Sequence, residues 1–214
     1  MKYKKVIVII LLVCIGTIYE IHSKEQKVYE KYVVVIDPGH GGWDQGATRE
    51  QIYEEDLNFQ VALYLKQFLE SQDITVIMTR TSDVDLASTT SDNRKREDLK
   101  RRVEIMNTGD VFVSIHMNIA ESSVKGSQVF SSEKEESINL ADVIQKELKK
   151  LNNSKFISKI GDYYLLNESS TIGVIVECGF LSNVDERKQL QQPQYQEKLA
   201  YAICTGILEY KGKK

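Results

Sequence analysis

Short apolar runs alternate along this chain with longer stretches in which apolar residues recur every three or four positions. Val33–Ile36, Ile74–Thr79, Val111–Ile115 and Gly173–Val176 are runs rich in β-branched residues that stop abruptly at polar ones, as buried strands do. Ser127–Phe130 reads as a further strand, and Tyr163–Leu166 is short and apolar. Between these runs, Leu57, Val61, Leu65, Phe68 and Leu69 share one helical face. So do Leu99, Val103 and Met106, and again Ile138, Ala141, Ile144, Leu148 and Leu151. Pro193 opens a last helix that gathers Tyr195, Leu199, Ala202, Ile203 and Ile207 on one side. The alternation predicts a single α/β domain, with a largely parallel twisted sheet, helices on both faces and right-handed crossovers.

The polar residues that end three of the strands matter most. Val33–Ile36 runs into Asp37-Pro38-Gly39 and then His40, Val111–Ile115 delivers Ser114, His116 and Asn118, and Gly173–Val176 ends in Glu177, Cys178 and Gly179. Ligands of open α/β sheets bind outside these carboxyl ends. Asn152–Gly161 is polar and is expected as a loop over that end of the sheet.

Composition adds boundaries. With 214 residues, 42% of them apolar and 28% charged, the chain is one ordinary globular domain. A net charge of −3 and the absence of interleaved basic and aromatic residues argue against a nucleic-acid partner. Three lysines within Met1–Lys5 precede the apolar run Val6–Ile18, the pattern of an export signal peptide or retained membrane anchor over 1–22. A polar tether over 23–31 follows, so the domain from residue 32 to 214 is expected outside the cytoplasm, with membrane contact only through the leader. Cys14 lies in a weak lipid-attachment pattern, and Cys178 and Cys204 read as small buried hydrophobes.

Two histidines at equivalent strand ends suggest a metal. Two imidazoles and one carboxylate with a fourth position open is the donor set of catalytic zinc in hydrolases, although the same ligands suit other divalent ions. Glu54 is the natural carboxylate, at the start of the helix leaving the His40 loop; acidic residues there also suit the helix dipole, and Glu55 stands beside it as a competitor. Glu177 is the candidate general base that would take a proton from water and return it to a leaving amine.

His40 in DPGHGG, Glu54 in EEDLNF, His116 in SIHMN and Glu177 in VECGFLSN resemble the signature segments of the zinc-dependent N-acetylmuramoyl-L-alanine amidases of the amidase-3 family, in the family's order. The resemblance implies Zn2+ held by His40, Glu54 and His116, with Glu177 as catalytic base. It also implies peptidoglycan as substrate, cut at the amide between the lactyl group of muramic acid and L-alanine. The motif register, with Asp56-Leu57-Asn58 following, favours Glu54 over Glu55.

Within the family, Arg94–Asn107 and Glu177–Leu190 look most like the germination-specific members of spore formers, which prepare muramic-δ-lactam in the cortex. Two alternatives remain: a silent amidase fold that binds or regulates, and a zinc peptidase acting within the stem peptide. Thr171-Ile172-Gly173 stands where many members carry a proline. With the polar 152–161 stretch, it suggests loops that an accessory protein would steady in the zinc-bound form. Arg80 and Arg102 fall in recurring segments and read as structural or wall-glycan contacts.

Overall fold

A computed structural model describes residues 31–213; the leader, nearly all of the tether and Cys14 lie outside the described residues. The first strand, β1 (Val33–Pro38), is buried along almost its whole length, as a central parallel strand must be. A small hairpin of β2 (Thr48–Arg49) and β3 (Ile52–Tyr53) leads directly into helix α1 (Glu54–Glu70), so Glu54 is its first residue. Then come β4 (Thr75–Met78), α2 (Arg94–Met106), β5 (Val111–Asn118), β6 (Gln128–Ser131) and α3 (Glu135–Asn152). The chain closes with β7 (Lys159–Ile160), α4 (Tyr164–Glu168), β8 (Ile172–Phe180), α5 (Val184–Leu190) and α6 (Pro193–Lys211).

The main sheet has the order β4-β1-β5-β8-β6-β7. Its first four strands are parallel, β6 is antiparallel to β8, and β7 pairs parallel with β6. On one face Val34, Ile36, Val113, Ile115, Val174 and Val176 pack with residues of α1, α3 and α6. Alternate positions Val35, Phe112 and Ile175 meet Val103 and Met106 of α2 and Leu165 and Leu166 of α4 on the other. Helices therefore cover both faces, as the hydrophobic pattern predicts.

The structure refines the sequence expectations in several places. Strands β5 and β8 continue past Ile115 and Val176, because polar side chains end a hydrophobic run without ending a backbone ladder. His116 is thereby the register partner of Glu177, and Asn118 of Phe180 after an irregularity between His116 and Asn118. The short apolar stretch Tyr163–Leu166 leads into α4, which turns Leu165 and Leu166 into the second core. Helix α5 is an addition, started by the Asn183 side chain accepting from the N–H groups of Asp185 and Glu186. Within 152–161, residues 153–158 are irregular and run beside the carboxyl end of β8, where the Phe156 and Phe180 rings stand 5.7 Å apart, and Lys159–Ile160 then supply β7 at the outer edge of the sheet. Ser154 Oγ donates to Ser127 O at 2.8 Å and Gln128 Nε2 to Ile157 O at 3.1 Å, so local side chains satisfy this edge.

Gly173 belongs to β8 and is there for space. A Cβ on it would lie 2.1 Å from the Phe112 ring, its register partner's side chain. Tight packing, not a loose loop, requires glycine at this position. Among the described residues Cys178 and Cys204 form no disulfide, and both are buried, consistent with a packing role.

Candidate active site

The site is built outward from the carboxylate of Asp37, at the buried end of β1. Thr79 and Ser114 donate their hydroxyls to it at 2.6 Å each, and Arg102 Nη1 lies 2.8 Å away. Burial favours the neutral acid, but the Arg102 guanidinium and the two hydroxyls outweigh it and hold Asp37 below the ordinary carboxylate range. Arg102 also donates to Pro38 O at 3.0 Å and to His40 O at 2.7 Å, and its Nε bonds Asp98 at 2.8 Å. Arg80 reaches Pro38 O at 2.9 Å, Gly39 O at 3.3 Å and Glu55 O at 2.9 Å. Both arginines are buried, so they hold the 38–40 backbone in place and are not surface contacts to a glycan.

That backbone sets His40 at φ 63°, a left-handed conformation rare for a residue with a side chain. Gly39 before it is required by close approach: a Cβ there would sit 2.2 Å from the His116 ring. The two imidazoles are consequently edge to face, with ring centroids 5.0 Å apart.

Glu54 lies between them. Its Oε1 is 3.0 Å from His116 Nδ1 and its Oε2 is 3.3 Å from His40 Nε2. The carboxylate is fixed by the N–H groups of Ala47 at 2.8 Å and Met117 at 3.1 Å, and Asn58 Nδ2 joins it to Gly39 O. Burial would raise its pKa, yet the two histidines hold it well below the usual range. On the far side of His40, Asp44 Oδ2 lies 3.0 Å from Nδ1, an electrostatic contact more than an aligned hydrogen bond. Burial would lower His40, but Asp44 and Glu54 outweigh it and push the imidazole up to about 9. Asp44 itself pairs with Lys95.

Donor atoms of His40, Glu54 and His116 all lie within 4.8 Å of one another. Ligands bonded tetrahedrally to zinc at about 2.0–2.2 Å stand roughly 3.3–3.5 Å apart, close to the nitrogen–oxygen separations above. The cluster therefore fits a small divalent ion. Glu55 does not belong to it; its carboxyl lies against Asp83 and Arg80.

Glu177 projects from β8 on the same side of the sheet as His116, its partner on β5. The side chain is buried, and Oε2 has no hydrogen-bond partner among the described residues. Burial pushes its carboxyl up to about 7, with Glu54 adding to the rise and His116 opposing it. A cavity of about 150 Å³ adjoins Glu177 and His116, walled by Leu99, Tyr163, Tyr164, Leu165 and Ile175. A larger groove of about 620 Å³, beside Phe68, Leu151 and Tyr201, contains none of the four predicted residues.

The sequence-predicted residues His40, Glu54, His116 and Glu177 thus come together at one end of the sheet. Sequence reasoning missed Asp44, which the turn after His40 brings back to the imidazole, and the role of Asn58, whose helical spacing from Glu54 was an available signal. It also missed the α4 tyrosines, for which an apolar tetrad carries no signal of its position in space.

Residues 34–209 match the model of a family described as N-acetylmuramoyl-L-alanine amidase. The chain is 38% identical over 187 residues to the germination-specific N-acetylmuramoyl-L-alanine amidase of Bacillus subtilis (strain 168), across 83% of this chain and 79% of that protein. Among solved structures it resembles the CwlD amidase from Clostridioides difficile in complex with the GerS lipoprotein, with a TM-score of 0.82 and 36% identity over 86% of this chain and 100% of that one. The catalytic domain of CwlV, an N-acetylmuramoyl-L-alanine amidase from Bacillus (Paenibacillus) polymyxa var. colistinus, aligns with a TM-score of 0.76 and 30% identity over 86% and 99% of the two chains. The match begins in β1 and ends in α6, enclosing the whole sheet and all four clustered residues, and the chain belongs to the amidase-3 family of N-acetylmuramoyl-L-alanine amidases.

Proposed function

We propose that this protein is a zinc-dependent peptidoglycan hydrolase that cuts the amide between the lactyl group of N-acetylmuramic acid and L-alanine. The observation that carries the proposal is a His–Glu–His donor set with a buried, unpartnered carboxylate one strand away. His40, Glu54 and His116 are the metal ligands and Glu177 is the catalytic base. When bound, zinc supplies Lewis acidity that polarises the scissile carbonyl and lets water lose a proton near neutral pH.

The protein's own groups divide the remaining work. Glu54, fixed by two backbone N–H groups, and His40, flanked by Asp44, are preorganised before any ligand arrives. Glu177 accepts the proton of the attacking water and delivers it to the amide nitrogen as that nitrogen leaves. Burial makes this carboxylate a stronger base than an ordinary glutamate, which favours its taking the proton.

Similarity to a germination-specific amidase supports a role in the spore cortex, where removal of stem peptides precedes muramic-δ-lactam formation. The proposed substrate and the basic-then-apolar leader support a domain outside the cytoplasm, secreted or anchored. The similar CwlD structure is a complex with a lipoprotein, which supports an accessory partner for this chain, and such a partner would stabilise its zinc-bound form.

The test compares the purified chain with zinc, after chelation, and as Glu177→Ala, each incubated with purified peptidoglycan. Mass spectrometry should find free stem peptides beginning with L-alanine from the zinc-loaded protein alone. Fragments cut inside the stem would make it a peptidase; no fragments, with peptidoglycan still bound, would make it a silent binding module.

A further inference from the structure

The cavity beside Glu177 is unassigned by the chemistry described so far. Its walls are fixed: Leu165 and Ile175 belong to the second core, and the Tyr163 ring lies 5.2 Å from that of Phe130. Apart from Glu177 and His116 its lining is aliphatic and aromatic, with no cation to receive an anionic group. At about 150 Å³ it has room for a small apolar side chain. Apolar walls with a few convergent polar groups are the usual make-up of a pocket that takes an apolar group and orients it.

Position decides which part of the substrate enters. The group that returns a proton to the leaving nitrogen must lie within hydrogen-bond reach of it. The cavity that shares Glu177 is therefore within reach of the residue carrying that nitrogen, the first residue of the stem, and its aliphatic and aromatic walls suit that residue's apolar side chain. We propose that this cavity is the subsite for the side chain of the first stem residue, and that Leu99, with Tyr164 and Ile175, sets how large that side chain can be. The inference rests on the amidase function proposed above and adds its selectivity.

Leu99 is the position to vary. It is only partly buried on α2, so changes there perturb folding less than at Leu165. The zinc-loaded full chain would be assayed on synthetic muramoyl-peptides whose first residue is Gly, L-Ala or L-Leu, and on matching substrates with glycolyl in place of lactyl. For the wild type, kcat/KM for Gly should be about fourfold below that for L-Ala, the value of one buried methyl. Leu99→Ala should raise the L-Leu to L-Ala ratio by about tenfold, as several methylenes gain space. Leu99→Phe should bring the L-Ala to Gly ratio toward one. Each comparison is made within one variant, so a loss of folded protein cancels.

A lactyl to glycolyl ratio that moves while the first-residue ratio stays fixed would assign the cavity to the acyl side and overturn the proposal. So would ratios that no variant moves. A wild type that cleaves none of these substrates and frees no stem peptide from peptidoglycan would instead remove the amidase function itself.

Discussion

Arg102→Leu tests whether the Asp37 network holds the site together. Arg102 and Asp37 are both buried, and leucine leaves the carboxylate charged without its guanidinium, while Pro38 O and His40 O lose a donor. Breaking one partner of a buried ion pair costs about 3–5 kcal/mol. Against a total stability of about 5–15 kcal/mol, that is a large fraction. With a urea slope of about 2 kcal/mol per M, the midpoint should fall by about 2 M at pH 7.

The pH dependence gives a second signature. In the wild type Asp37 is held below its unfolded value, so its contribution is present above about pH 4 and lost as pH falls through the folded value. In Arg102→Leu, burial without the guanidinium raises Asp37, so the penalty is present at pH 7 and fades on acidification. The gap between the two proteins must therefore narrow from pH 7 toward pH 4. Adding Asp37→Asn to Arg102→Leu removes the stranded charge and should recover part of the loss. Urea titrations of the chelated proteins measure all three. A midpoint shift under ~0.5 M, or a gap independent of pH, would refute the reasoning.

Three other outcomes follow from the same geometry. Gly39→Ala puts a Cβ 2.2 Å from the His116 ring, and zinc affinity by chelator competition should fall about 10–100-fold, as when a ligand's support is lost. Gly173→Ala should lower the unfolding free energy by about 1–3 kcal/mol through overpacking, with Phe112→Leu in the same chain restoring part of it. The pH profile of kcat/KM should lose activity on the acid side as Glu177 takes up a proton. A bound cation lowers that pKa from about 7, so the acid limb should lie between that value and the ordinary glutamate range, and Glu177→Gln should abolish turnover.

The sheet and its helices were legible because each buried face writes a period into the sequence: Val34 and Ile36 pack on one side, Val35 on the other. Strand ends were less legible. His116, Asn118 and Glu177 are polar, so the apolar runs stop before them while the ladder continues. Helix α5 depends on one capping asparagine and is too short for a period to register. Gly173 was misjudged because sequence cannot distinguish a glycine needed for freedom from one needed for the ring of Phe112. The four site residues stood out through their short motifs. The supporting network did not, since Asp37, Thr79, Arg102 and Ser114 meet only after strands and helix have assembled.

The register of His116 with Glu177 has a consequence for how such an enzyme can diversify. Neighbouring strands are held about 4.8 Å apart by their hydrogen bonds, and that spacing is a ruler no surface loop can stretch. The proposed metal ligand and proton carrier are therefore gauged against each other by the sheet itself, whatever happens to the segments that meet the substrate. Insertions around the rim can change what is admitted while the reacting distance stays calibrated.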